Sequence, residues 1–237
     1  MLQGRPVADG VFVNGHGPYR FLIDTGSNVN LIESALAEKL GMTASFQVVL
    51  ASAAGSTPLP GTGGHQIQLG PTTAENQKLL LSDLSALHRL SPQIRGVLGQ
   101  WFLSSFDYLL DFHARQLEFG KQDRSGPRSP FRMINARPVV ATSLGALALD
   151  SGASRLVLFG VRPDPDDAPP AELRTLSGSQ PAGLVSGRPL LIAGRKISHG
   201  DAVSLPRRTE AEVDGLMPLS LFKTIYVCNS ESFVQFQ

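Results

Sequence analysis

Cysteine is almost missing from this chain. Cys228 stands alone among 237 residues, so no intrachain disulfide can form, and a thiolate metal site would need ligands from a second chain. Its flanks, TIYVCNS, read as an ordinary buried thiol. Long hydrophobic runs are missing as well: no apolar stretch approaches the roughly 20 residues that span a bilayer, and no transmembrane helix is expected. The amino-terminal segment MLQGRPVADGVFV lacks the basic start, apolar stretch and small-residue cleavage site of a secretory signal. The expected compartment is the cytoplasm by default, or an exported location if an upstream targeting segment has been removed. Charge of one sign is also lacking. Lysine and arginine total 21 against 20 aspartates and glutamates, a net charge of +1 with neither a basic stripe nor an acidic tail. Neither nucleic acid nor a membrane is therefore an expected partner.

Metal and phosphate signatures are absent too. The five histidines, His16, His65, His88, His113 and His199, show no ligand spacing. Asp164, Asp166 and Asp167 are interleaved with prolines and lack a downstream calcium ligand, which leaves a solvated loop. Gly61, Gly63 and Gly64 are followed by neither the helix nor the lysine of a phosphate loop. No metal or other cofactor is expected. The 42% hydrophobic content over this length suffices for a proper core, in one large domain or two small ones.

What the chain does have is a tripeptide that occurs twice: Asp24-Thr25-Gly26 within FLIDTGSNVNLI and Asp150-Ser151-Gly152 within LALDSGASRLVLF. Only about 0.1 copies of an aspartate, hydroxyl residue, glycine tripeptide are expected by chance in a chain of this length. Each copy ends an apolar run, so both aspartates would leave a strand end into a tight glycine turn. Two carboxylates presented alike invite a shared site. Hydrolysing an amide without a metal or a covalent nucleophile needs a base to take a proton from water and an acid to protonate the carbonyl oxygen. Adjoining carboxylates can do both, because two like charges at close range do not readily ionise together and the pair holds one proton.

The surroundings of the tripeptides repeat in the same order. RPVADGVFVNGHGPYRFLID reads as a hairpin turning at Asn14, Gly15, Gly17 and Pro18. LIESALAEKLGM, with Leu31, Ile32, Leu36 and Leu40 apolar and Gly41 as its stop, reads as a short helix. FQVVLASAAGSTPLPG, HQIQLG and QKLLLSDL follow as strands. The first copy closes on Val97-Leu98-Gly99, a helical turn and a hairpin around His113 and Arg115; Trp101 there is a core anchor. The second copy closes on Gly215-Leu216-Met217-Pro218, and the four prolines of GVRPDPDDAPPAEL replace the helix with a surface loop. Arg207-Arg208 is exposed charge. The expected division is 1–120 and 137–237, joined by a charged, glycine- and proline-rich linker at 121–136. The fold class is mostly β, with many short strands and little helix.

These motifs make each half resemble a retropepsin-type aspartic protease subunit, and the whole chain a single-chain version with two fused halves. The resemblance implies an acid-protease (pepsin/retropepsin-like) fold, with two pseudo-twofold-related β lobes and a cleft between them. It implies Asp24 and Asp150 as the catalytic pair of an aspartic endopeptidase acting on peptide or protein substrates, competent as a monomer. Thr25, Gly26, Ser27, Ser151 and Gly152 would support the site, with Thr25 and Ser151 bonded to the backbone of the opposite lobe. A flexible hairpin closes over the cleft in this family. Its counterparts are the turn at Ala53, Ala54, Gly55 and Ser56 and the turn at Gly178 and Ser179.

Two departures stand out. Ser27 is matched by Ala153, so a Ser27 hydroxyl donating to Asp24 would make Asp24 the more readily ionised partner. Pro218 stands where the first copy has Gly99. A peptide-binding module that keeps the fold without catalysis, and a structural role for the paired lobes, are the alternatives.

Overall fold

The computed structural model describes residues 1–52, 55–164, 171–175, 178–207 and 212–237. The amino-terminal half runs β1 (Val7–Val13), β2 (His16–Ile23), β3 (Leu31–Glu33), α1 (Ser34–Lys39), β4 (Phe46–Ser52), β5 (Gly55–Leu69), β6 (Thr72–Ser82), α2 (Ser85–His88), β7 (Ile94–Leu98), α3 (Gln100–Leu103), β8 (Tyr108–Asp111) and β9 (Gln116–Phe119). The remainder runs β10 (Arg128–Ile134), β11 (Arg137–Thr142), β12 (Gly145–Asp150), β13 (Val157–Phe159), β14 (Ala171–Thr175), β15 (Gly178–Val185), β16 (Leu190–Ile192), β17 (Arg195–Ile197), β18 (Ala202–Leu205), β19 (Gly215–Pro218), β20 (Thr224–Cys228) and β21 (Phe233–Phe236), with one 3-10 turn at Leu219–Leu221.

The first seven strands form a sheet in the order β1-β2-β7-β3-β6-β5-β4. A further pairing of β1 with β5 closes six of them into a barrel. The β1–β2 hairpin turns where Asn14 and Gly15 both take positive φ, 50° and 76°, the combination that matches the twist of the flanking strands. β2 then runs parallel to β7, with Phe21 opposite Gly96 and Ile23 opposite Leu98. Gly96 is required there, because a β-carbon would fall 2.2 Å from the Phe21 ring and 2.6 Å from the Leu31 carbonyl.

The segment expected as one helix from Leu31 divides in two. Leu31 and Ile32 belong to β3, which pairs with β6 on one side and β7 on the other. The helix spans only Ser34–Lys39 and buries Leu36 and Ala37. Leu31 and Ile32 satisfy a helical spacing with Leu36, but both are buried, Ile32 in one hydrophobic cluster and Leu31 in another, and a strand buried on both faces shows no alternation. Gly41, at φ 68°, ends the helix where expected.

The second sheet has twelve strands in the order β14-β15-β18-β13-β19-β12-β11-β10-β21-β20-β8-β9. It is built from both halves of the sequence: β8, with β9 on its far side, pairs with β20, Leu109 opposite Tyr226. The segment 121–136, read as a linker, carries β10, which pairs with both β11 and β21. Buried Ser129 and Phe131 alternate there with exposed neighbours, a two-residue period hidden among charges, glycine and prolines. β12 runs parallel to β19, with Leu149 opposite Met217 and Asp150 opposite Pro218. One hydrophobic cluster runs from Phe21, Ile23, Leu98 and Phe102 to Leu147, Leu149, Met217 and Phe236. Side chains of this size stabilise the fold by about 1.5–3 kcal/mol each when fully buried. They hold the ends of β2 and β12 in fixed relation.

Of the proline-rich loop, 165–170 lie outside the described residues, as do Asp166 and Asp167. Asp164 accepts hydrogen bonds from the Ser186 backbone N–H at 2.8 Å and its hydroxyl at 2.6 Å.

Candidate active site

β2 and β12 deliver the two tripeptides to one place. Asp24 follows β2, its backbone N–H donating 2.9 Å to the Leu98 carbonyl of the parallel neighbour, and Asp150 is the last residue of β12. A β-carbon on Gly26 would lie 2.5 Å from Cγ of Asp150, and one on Gly152 would lie 2.8 Å from Cγ of Asp24. Each carboxyl group therefore rests on the glycine of the other tripeptide. Only a residue without a side chain permits that approach. Backbone N–H groups hold the carboxylates from below: Gly26 donates 2.9 Å to Asp24 Oδ1 and Ala153 donates 2.8 Å to Asp150 Oδ1.

The middle residues cross-link the two turns. Thr25 Oγ1 donates to the Leu149 carbonyl at 2.9 Å and accepts from the Ser151 N–H at 3.0 Å. Reciprocally, Ser151 Oγ donates to the Ile23 carbonyl at 2.7 Å and accepts from the Thr25 N–H at 3.0 Å. A hydroxyl can donate and accept at once, which explains why this position holds Thr and Ser. Both residues are buried, so all four bonds lie away from water, and losing one leaves a buried group unsatisfied at about 1–3 kcal/mol.

Ser27 acts differently from its expected role. Its hydroxyl donates 2.9 Å to the Val29 carbonyl and not to the Asp24 carboxylate. The chain reverses after Gly26, which turns Oγ toward the following backbone. Gly55 and Ser56 pair with Ser52 and Ala51 in the β4–β5 hairpin, and Gly178 and Ser179 pair with Thr175 and Arg174 in the β14–β15 hairpin. Ala53 and Ala54 lie outside the described residues.

Beneath the first turn lies a polar layer that sequence reasoning missed. Gln100 Nε2 donates 2.8 Å to the Thr25 carbonyl, and the Gln100 N–H donates 2.8 Å to the Ser27 carbonyl. Buried Asn30 accepts from the Gly99 N–H at 3.0 Å and donates to Gln77 Oε1 and the Lys78 carbonyl, both at 3.2 Å. Gly99 cannot be replaced without disturbance, since a β-carbon would fall 2.2 Å from the Val29 carbonyl. Beside Asp150 the parallel neighbour β19 presents Pro218, which offers no N–H, and Leu156, one residue before the Val157 that pairs with Leu216, is buried and apolar. Trp101 is partly buried against the Leu31, Leu80 and Val97 cluster, with Lys78 Nζ 5.8 Å from its ring centroid.

Two further residues meet the dyad. Arg5 Nε donates 2.6 Å to the Gly152 carbonyl. Arg137, the first residue of β11, lies within electrostatic reach of both aspartates. Burial, together with the charge of Asp150, pushes the Asp24 carboxyl up to about 7. Burial also raises Asp150, but the N–H groups of Ala153 and Gly152 and the positive charges of Arg137 and Arg5 oppose it. Both carboxyls are thus raised by burial, and the two arginines favour the charged form of Asp150. A sequence signal for the arginines existed: Arg5-Pro6-Val7 and Arg137-Pro138-Val139 are the same tripeptide.

No curated protein matches the chain. Residues 10–102, a span that takes in Asp24-Thr25-Gly26 and Gly99, match a family model described as aspartyl protease.

Proposed function

We propose that this chain is an aspartic endopeptidase in which Asp24 and Asp150 activate one water between them. The observation that carries the proposal is the crossed arrangement of the tripeptides, each carboxyl group lying on the other's glycine. In the reaction, ionised Asp150 takes a proton from the water as its oxygen attacks the peptide carbonyl, while Asp24 gives its proton to the carbonyl oxygen. Proton return to the amine releases the two products. The pair titrates as a unit, and the proton is written on Asp24 because the positive charges of Arg137 and Arg5 favour the charged form of Asp150. An extended peptide lying across the dyad would add backbone hydrogen bonds to flanking hairpins, with the β4–β5 hairpin near Gly55 and Ser56 and the β14–β15 hairpin near Gly178 as the candidates for closing over it.

The same reading makes the two halves a pseudo-twofold pair acting as a monomer. Pro218 then has a physical account. In the first half Gly99 presents an N–H and Asn30 accepts it; in the second, proline removes the donor and Leu156 stands where Asn30 stood, next to the strand residue that faces β19. The polar pair has been replaced by an apolar one, leaving no orphaned group. Cleavage of a peptide library by the wild type, Asp24→Asn and Asp150→Asn tests the proposal. Loss of at least about a thousandfold in both variants is expected, and undiminished cleavage by either would refute it.

A further inference from the structure

The repeated Arg-Pro-Val tripeptides occupy the same register position relative to the two aspartates. In β1–β2, Val7 pairs with Leu22, and Ile23 donates its N–H to the Pro6 carbonyl. The antiparallel register thus sets Arg5 across from Asp24. In β11–β12, Val139 pairs with Ala148, and the same count sets Arg137 across from Asp150. The side chain of Arg5 reaches over to the other turn, where its Nε holds the Gly152 carbonyl. Neither guanidinium makes an ion pair with a described residue, and Arg137 makes no side-chain hydrogen bond with one. Both are half-buried and within the field of both aspartates. A guanidinium carries five donors in a planar fork shaped for a carboxylate, and a partly buried one with unused donors next to a reactive centre is a candidate binding group.

We propose that Arg137, assisted by Arg5, receives the carboxylate of an acidic side chain in the substrate, so that the chain selects peptides with glutamate or aspartate within two residues of the scissile bond. The proposal rests on the endopeptidase reading above. The two aspartates hold one negative charge between them in the working form, too little to neutralise two guanidinium groups. Substrate charge completes the balance. Arg137 is the principal contact because all its donors are unspent, while Arg5 uses Nε to hold the turn that carries Gly152.

The test is a peptide series in which glutamate is placed singly at each of the two residues on either side of the cleaved bond and compared with glutamine. Wild type should favour glutamate at one or more positions by about tenfold in kcat/KM, mainly through KM, as expected for a charge-assisted hydrogen bond. Arg137→Gln should bring the ratio to about one, and Arg137→Lys should retain part of it. Binding of the same peptides to Asp24→Asn, followed by calorimetry, should show the same preference without turnover. Cleavage by the wild type with no preference for acid would overturn this inference and leave the endopeptidase reading standing. A pH profile moved by Arg137→Gln with an unchanged glutamate-to-glutamine ratio would also overturn it, because Arg137 would then act only on the dyad. No cleavage of any peptide by the wild type would sink the endopeptidase reading, and the binding series would still decide whether Arg137 takes a carboxylate.

Discussion

The carboxyl group of Asp150 rests on Gly26: a β-carbon at that glycine would fall 2.5 Å from Asp150 Cγ and 2.7 Å from its Oδ2. The closest group is a carboxyl that cannot move without leaving its own N–H partner on Ala153. Gly26→Ala should therefore displace Asp150 by an ångström or so and lower kcat/KM about a hundredfold, with little change in peptide binding. Gly152→Ala should act likewise through Asp24. Steady-state kinetics beside a thermal melt would separate misplacement from unfolding.

The Asp24 carboxyl, raised to about 7, makes both activity and stability depend on pH. The rate should fall on its alkaline side near pH 7 as Asp24 loses its proton. For stability, below about pH 4 the folded and unfolded chains both hold this proton; as pH rises toward 7 the unfolded chain releases it first, so folding weakens across that window. Asp24→Asn should remove the effect. It should match the wild type near pH 4 and exceed it by about 2–4 kcal/mol at pH 8, measured by urea denaturation.

Thr25 serves two buried partners from the opposite turn, the Leu149 carbonyl and the Ser151 N–H. Thr25→Val keeps the shape and leaves both unsatisfied, which should cost about 2–4 kcal/mol. Thr25→Ser keeps the hydroxyl and should cost less than about 1 kcal/mol. Denaturant midpoints of the two variants provide the comparison.

Asn30 and Leu156 should not be interchangeable. Asn30→Leu strands the Gly99 N–H and should destabilise by about 1–3 kcal/mol. Leu156→Asn puts an amide at a buried apolar position and should cost a similar amount. Equal stability of either variant with the wild type would contradict the paired account of these positions.

Because the Ser27 hydroxyl serves the Val29 carbonyl, Ser27→Ala should leave the acidic limb of the pH-rate profile in place. Arg137→Gln should move that limb upward, since it removes a positive charge that holds Asp150 down. A shift with Ser27→Ala and none with Arg137→Gln would reverse the assignment of charge within the dyad.

Much of the fold was legible because its signals are local. The hairpin at Asn14-Gly15, the stop at Gly41 and the strands flanking both tripeptides follow from turn chemistry and apolar runs. Leu31 and Ile32 were misread as helix because burial on both faces erases the two-residue period. β10 was hidden because its alternation is brief and its flanks look like a linker.

The sequence by itself determined that two aspartates would leave strand ends into glycine turns, since strand pattern and backbone permissiveness are properties of neighbouring residues. Only the tertiary structure decided what those turns touch. That Gln100 and Asn30 underlie the first turn, that Asp150 pairs with Pro218 and that Arg5 crosses to Gly152 all depend on sheet register between residues far apart in the chain. Register is set by packing over the whole core, and no local pattern encodes it.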